Sequence, residues 1–289
     1  MTMKFGIAYA NAGPFGYPEP LAHLARTAEE VGIESIWTVE HVVIPVGYQS
    51  KYPYDPSGKI PGPENVPIPD PILPLAFAAA VTKKLRLATG IVILPQRHPI
   101  YVAKEMATLD VLSGGRAILG IGIGWLREEF DAVGVPFAER AARTSESVRA
   151  IRSLWKDTPQ AFEGKFFRWA PLESNPKPVQ KPGVPIVVGG HGEWAARRAA
   201  RYGDGFFPAV GEPEKLRALF ATLREECRRI GRNPDEIELS AGRGRPDLDA
   251  VRRLQDLGVS RITMGPPGFD NDAVTRGLHD FAERVIARS

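Results

Sequence analysis

The sequence predicts an α/β protein folded as a (β/α)8 TIM barrel, with insertion segments at the C-terminal face of the strands. Three observations carry this prediction. Short apolar runs alternate eight times with helical patterns. The runs are rich in Val and Ile and bounded by Gly or Pro, as strands buried on both faces of a parallel sheet must be. The length of 289 residues is close to the roughly 250 that such a barrel needs. A doubly wound open sheet shares the alternation, but the count of eight and the length favour closure. One domain is expected over residues 1–289, since no linker, low-complexity tract or longer repeat interrupts the chain.

The strand-length runs fall at residues 4–9, 35–39, 86–93, 117–121, 185–188, 205–207, 237–240 and 261–264. Helical patterns occupy 19–31, 71–81, 100–112, 138–154, 193–202, 214–230, 247–257 and 272–287. Asp70-Pro71 supplies an N-cap with proline at the first helical position, and Glu212-Pro213 is a weaker version. Gly32, Gly203, Gly231 and Gly258 mark helix ends. Two stretches exceed the minimal barrel. Residues 42–69 follow the second strand and hold seven prolines, with Gly47-Tyr48, Tyr52-Pro53-Tyr54 and Pro61-Gly62-Pro63. Connections this long are usually functional or disordered, and catalysis in a barrel sits at the C-terminal strand ends, so this segment is a candidate lid, with a solvated surface loop as the other reading. Residues 159–183 contain Phe162 to Trp169 alternating around Gly164-Lys165, a hairpin pattern.

Composition narrows the function classes. Cys227 is the one cysteine, so no intramolecular disulfide forms and a reducing, cytoplasmic setting is expected. Its basic amphipathic surroundings suit a buried structural thiol rather than a nucleophile. Met1 to Ile7 run directly into a strand without the apolar stretch of a signal peptide. No run reaches about 18 apolar residues, so no membrane helix is expected. The net charge is +3, and the basic residues, 26 Arg and 11 Lys, are spread along the chain. That argues against a nucleic-acid partner. The five histidines stand in no metal-binding spacing. Gly120-Ile121-Gly122-Ile123-Gly124-Trp125 fails the dinucleotide spacing because Trp125 takes the third glycine position.

Chemistry concentrates at the strand ends. Trp37-Thr38-Val39-Glu40-His41 places two ionisable groups at the end of the second strand, making Glu40 and His41 catalytic candidates. A histidine that only caps the loop is the other reading. Thr89-Gly90-Ile91 suits a bulge against a planar ligand, or simple core packing. Gly122, Ile123 and Gly124 let backbone approach a ligand closely. Gly189-Gly190-His191-Gly192 opens a helix and fits an anion such as phosphate, or is a flexible turn. Gly242-Arg243-Gly244-Arg245 is a competing anion site, with solvated arginines as the default.

In this order, these residues resemble the bacterial luciferase-like family, and in particular its coenzyme F420-dependent oxidoreductase branch. The resemblance runs through 28–37, Glu40-His41, Thr89-Gly90-Ile91, Leu109-Asp110-Val111-Leu112-Ser113-Gly114-Gly115-Arg116, 120–125 and Gly203-Asp204-Gly205-Phe206. It implies a flavin or deazaflavin at the barrel mouth. It implies a non-proline cis peptide at Thr89, Gly90 and Ile91 behind the ring, with Thr38, Gly122, Ile123 and Gly124 lining the cofactor. Gly189, Gly190 and His191 would hold its phosphate, and His41 would assist proton transfer. Where a sugar-phosphate dehydrogenase of the family carries an acid, this chain has Trp125. An aromatic mouth of Trp125, Trp37, Tyr48 and Tyr54 then favours a hydrophobic or aromatic substrate. Arg127, Glu128 and Glu129 are expected to face outward on the following helix. The leading expectation is an F420-dependent oxidoreductase moving a hydride to or from a small organic substrate, working as a homodimer. An FMN-dependent monooxygenase and a non-catalytic flavin-binding protein are the alternatives.

Overall fold

Each strand-length apolar run is too short to bury itself alone, and pairing with parallel neighbours satisfies its backbone. The computed structural model describes residues 2–63, 65–242 and 244–289. In it the chain forms β1 (Lys4–Ile7), α1 (Pro18–Glu30), β2 (Ser35–Thr38), α2 (Leu73–Val81) and β3 (Arg86–Thr89). A two-residue strand β4 (Val92–Ile93), α3 (Pro99–Ser113), β5 (Ala117–Gly122), α4 (Arg127–Ala132) and α5 (Arg140–Leu154) follow. Next come β6 (Gln160–Glu163), β7 (Arg168–Leu172), β8 (Ile186–Gly189), α6 (Glu193–Tyr202) and β9 (Gly205–Phe207). The chain ends with α7 (Pro213–Ile230), β10 (Glu238–Gly242), α8 (Leu248–Asp256), β11 (Arg261–Met264) and α9 (Asn271–Arg284).

The strands β1, β2, β3, β5, β8, β9, β10 and β11 pair in parallel, and β11 returns to β1 with Lys4 opposite Arg261 and Ile7 opposite Met264. This is a closed (β/α)8 barrel. One expected strand, 86–93, is broken: β3 stops at Thr89 and β4 resumes at Val92. The strands 205–207 and 261–264 stand as read from sequence. The hairpin of β6 and β7 turns at Gly164-Lys165 and lies against α5, where the Glu146 carboxylate accepts the amides of Lys165, Phe166 and Phe167. Asp70 still serves as a cap, accepting the amides of Ile72 and Leu73, but α2 begins only at Leu73. Cys227 is buried on α7, and burial pushes its thiol up from the ordinary value. No described helix is long and apolar enough to cross a membrane.

The Asp110 to Arg116 motif closes the floor of the barrel. Arg116 donates to the carbonyls of Ser113, Leu85, Ala79 and Thr82 and to the Thr82 hydroxyl, which caps the C-terminal end of α2. Asp110 accepts the backbone and side-chain N–H groups of Gln180. Inside the barrel, Arg261 is fully buried. It grips both oxygens of Glu34 at 3.0 and 2.8 Å and also bonds Glu238. Above it lies a layer of Trp37, Ala88, Ile118, Val187 and Phe207. The Arg261 guanidinium sits 5.5 Å from the Trp37 ring, and Trp37 meets Phe207 at 5.6 Å.

Removing one member of a buried ion group leaves uncompensated charge behind, typically at a cost of 3–5 kcal/mol. Glu34 and Glu238 keep some contact with water, so the low end of that range applies. Arg261→Ala should therefore cost about 3 kcal/mol, measured as a drop in the urea unfolding midpoint.

Candidate active site

The site is built on the break between β3 and β4. The Gly90 amide donates to the Thr38 carbonyl at 2.5 Å, and the buried Thr38 hydroxyl donates to the Pro71 carbonyl at 2.8 Å. The Thr89 hydroxyl donates to the Gly120 carbonyl at 2.7 Å. A Cβ at Gly120 would stand 1.8 Å from the Thr89 oxygen, so only glycine lets the two strands approach here. The Gly90–Ile91 peptide is cis. Gly90 rests on the Trp37 ring, and the Ile91 side chain extends over Gly122 and Gly189, where added Cβ atoms would meet it at 2.6 and 2.7 Å. Ile91 thus floors the mouth with an apolar face, and the two glycines make the space that its side chain fills. Trp37, read from sequence as a mouth residue, instead fills the barrel beneath this floor, because its strand points it inward at the level of Ala88.

Glu40 supports the break from behind. Its carboxylate accepts the Ile93 amide and bonds Arg97 Nε at 2.7 Å, while Arg97 also bridges to Asp70. Burial pushes the Glu40 acid up, against the opposing charge of Arg97. Both oxygens are committed, so this catalytic candidate stands as a support and not at the mouth.

His41 points the other way. Its Nδ1 lies 3.0 Å from Glu129 Oε2. Glu129 also accepts the Val42 amide at 2.7 Å. Here the expectation for α4 fails. Arg127 is exposed, but Glu129 is buried and Glu128 is half-buried. The reason is segment 42–69, which carries no periodicity of its own and folds back onto α4. Glu128 accepts the amides of Gln49 and Ser50 at 2.7 and 3.0 Å and the Ser50 hydroxyl at 2.6 Å.

That segment crosses the mouth as a chain of rings. Trp125 meets His41 at 5.7 Å, Tyr48 at 5.7 Å and Tyr52 at 5.2 Å. Tyr52 meets Tyr54 at 5.3 Å, and Tyr54 reaches His191 across the opening at 5.0 Å. All are edge-to-face arrangements, the favoured aromatic geometry. Tyr48 is buried, its hydroxyl accepts the Ile60 amide, and Lys59 sits over its ring, so Tyr48 stiffens the segment from within. Tyr52 and Tyr9 are not among the mouth rings expected from the sequence, and Tyr9, read as the end of the first strand, lies beyond it. Burial, with Tyr9 and Tyr54 alongside, pushes the Tyr52 phenol up, so it stays neutral. Tyr9 follows β1 at φ 60, a bend that nothing in local periodicity announces. Both ends of the segment are tied to buried Asn11, which bonds the Val39 amide and the carbonyls of Val39 and Pro69 at 2.8–2.9 Å.

On the far side, β8 ends in Gly189. The Gly190 amide donates to the Phe207 carbonyl at 3.3 Å. The amides of His191, Gly192, Glu193 and Trp194 have no acceptor among the described residues. They sit at the start of a ten-residue helix, where the helix dipole also favours an anion. His191 is exposed, and partial desolvation beside Tyr54 lowers its pKa from the ordinary value. Arg243 lies outside the described residues, and exposed Arg245 reaches outer helix α9 beside Gly277. Ile123 and Gly124 complete the strand-end run, half-buried beside Trp125.

The broken third strand, the glycine turn at a helix start and His41 all lie at the C-terminal ends of the barrel strands, the face that carries the active site in barrel enzymes. The chain belongs to the luciferase-like monooxygenase family, whose model matches residues 3–244. It is 36% identical to an uncharacterized protein of Mycobacterium tuberculosis, over 92% of this chain and 94% of that one. It is 34% identical to the F420-dependent glucose-6-phosphate dehydrogenase of Kineococcus radiotolerans, over 79% of this chain and 64% of that one. Among solved structures it resembles the monooxygenase RslO1 from Streptomyces bottropensis, with a TM-score of 0.78, 26% identity and 99% of both chains covered.

The Ser50 hydroxyl, with the amides of Gln49 and Ser50, lowers the Glu128 pKa from 4.5 to about 2. A depressed carboxylate pKa stabilises above the unfolded value and loses that contribution as pH falls through the folded value. The tie between α4 and residues 49–50 should therefore hold at neutral pH and release between about pH 4.5 and pH 2. Glu128→Ala should release it at neutral pH, raising amide exchange at Gln49 and Ser50 by at least about tenfold, the equivalent of one hydrogen bond to a charged group. Hydrogen exchange with mass spectrometry reads both effects.

Proposed function

We propose that this chain is an F420-dependent oxidoreductase acting on small hydrophobic or aromatic organic substrates. The observation that carries the reading is the aromatic arch from His41 through Trp125, Tyr52 and Tyr54 to His191, set over the Ile91 floor. A deazaflavin, when bound, supplies a two-electron hydride donor or acceptor. The residues present fit such a group. Ile91 offers an apolar face for a planar ring, and Gly122 and Gly189 let its side chain lie flat across the strand ends. The free amides at 191–194 are placed for a phosphate. The likeness to an F420-dependent dehydrogenase supports the choice of cofactor.

The protein's own work is to position, to dry and to handle a proton. With substrate and cofactor in place, the arch would shield the floor from water. Both carboxylates beside the mouth are engaged, Glu128 by residues 49–50 and Glu129 by His41 and Val42. The groups left facing the Ile91 floor are aromatic and apolar, with His41 beside them suited to give or take a proton at a substrate oxygen. A flavin monooxygenase is the second reading, favoured by the likeness to RslO1 over nearly the whole of both chains.

Fluorescence titration with F420 and with FMN separates the two, and tighter F420 binding is the expected outcome. Turnover is read from deazaflavin absorbance with a panel of aromatic ketones, aldehydes and enones and their reduced forms. His41→Ala should lower turnover by roughly 10²–10⁴-fold with F420 affinity nearly unchanged. Unchanged turnover would return His41 to a loop-capping role.

Gly190 adopts φ 132, and a Cβ there would meet Ala195 Cβ at 2.8 Å. Gly190→Val should weaken F420 binding at least tenfold, about 1.4 kcal/mol, if the phosphate sits at this turn. Replacing Arg243 and Arg245 with alanine should cost little. The opposite pattern, with both variants folded, would move the phosphate to the strand β10 loop.

A further inference from the structure

We infer that Glu129 is the positioning residue for His41: it fixes the imidazole with its proton on Nδ1 and leaves Nε2 as the basic nitrogen. The inference rests on the proton-transfer reading of His41 given above, and its first test does not depend on that reading.

An ionised carboxylate accepts hydrogen bonds and donates none. Glu129 Oε1 takes the Val42 amide at 2.7 Å and, at 3.4 Å, the Val43 amide. These N–H donors replace water around the buried anion. Oε2 faces His41 Nδ1 at 3.0 Å, so Nδ1 must carry the hydrogen. The Glu129 side chain is 0% exposed and that of His41 is 11% exposed, so water competes little for this bond. Trp125 stands edge-to-face against the imidazole and limits its rotation. Nε2 has no hydrogen-bond partner among the described residues, which leaves its lone pair for a substrate proton. The same carboxylate holds the first amides of segment 42–69, so the ring and the root of the arch share one anchor.

The geometry dictates what an amide would do in its place. In Glu129→Gln the Val42 amide still needs an acceptor, so the carboxamide oxygen stays at the Oε1 position. The NH2 group then faces His41 Nδ1, which must accept. The neutral imidazole is driven to carry its proton on Nε2, the wrong atom for a base. Where an acid that orients a catalytic histidine has been changed to its amide with geometry kept, the loss in kcat is about 10⁴-fold.

The test uses the full-length protein without added cofactor. Long-range ¹H–¹⁵N correlation of the His41 ring, assigned by its absence in His41→Ala, is recorded near pH 8.5, about two units above the ordinary histidine value. The wild type should show Nδ1 protonated and Nε2 bare, and Glu129→Gln the reverse. A wild-type ring protonated on Nε2, or a variant ring unchanged from wild type, overturns the assignment. The wild-type measurement alone decides it if the variant does not fold. With the best substrate of the panel, Glu129→Gln should lower kcat by roughly 10²–10⁴-fold with KM little changed, and should add little further loss to His41→Ala. Inversion of the ring with full turnover in Glu129→Gln, while His41→Ala is impaired, overturns the positioning role. Full turnover in His41→Ala defeats the proton-transfer reading and leaves the ring assignment to stand on its spectrum.

Discussion

The contact between Gly90 and the Trp37 ring is what the rest of the site stands on. An indole fills the barrel at the level where β3 ends, and Gly90 leaves the chain room to turn above it. Trp37 is in turn held in place: its N–H donates to the Ser35 hydroxyl at 2.8 Å, and Arg261 lies beneath it. A smaller residue would leave a void under Ile91, and interiors relax only partly around such voids. The vertical order of Arg261, Trp37, Gly90 and Ile91 converts a packed barrel into a firm floor for chemistry.

A second device recurs around that column. Buried or half-buried carboxylates fasten loops by collecting backbone N–H groups. Glu40 takes the amide of Ile93, Glu129 that of Val42, Glu128 those of Gln49 and Ser50, and Glu146 those of the hairpin turn. Each supplies an acceptor to amides that no ladder or helix satisfies. The loops on the catalytic face are thereby ordered without a long regular structure of their own. Three of these acids also address a cationic or titratable side chain, Glu40 with Arg97, Glu129 with His41 and, more loosely, Glu146 with Arg149.

The barrel was legible because its elements are local. Apolar runs bounded by Gly and Pro announce strands wherever they fall, and 205–207 and 261–264 needed no correction. The run 86–93 is also uniformly apolar, and its break at Gly90 depends on Trp37, a partner in another strand. At the site, His41 and the glycine turn could be read because residue type and strand end coincide. Glu129 could not. Its neighbours Arg127 and Glu128 make a polar helix start that looks solvated, and only the return of segment 42–69 buries it. The roles of Tyr9 and Tyr52 were hidden for the same reason, since a ring just past the first strand and one in a non-periodic segment come together only in three dimensions. The Asp110 to Arg116 motif carried much of the family resemblance, yet its bonds lie at the barrel floor.

Asn11 gives the catalytic face a property of a different kind. By holding Val39 and Pro69 with one side chain, it brings the two ends of a long excursion together before the excursion begins. The closure entropy of such a loop grows only slowly with its length. Once the neck is fixed by a residue outside the loop, what lies beyond it is nearly free to lengthen, shorten or change its rings. The barrel is insulated from that variation. A chain built this way diversifies the chamber above a constant floor as one exchanges the shade on a lamp, leaving the base and its wiring untouched.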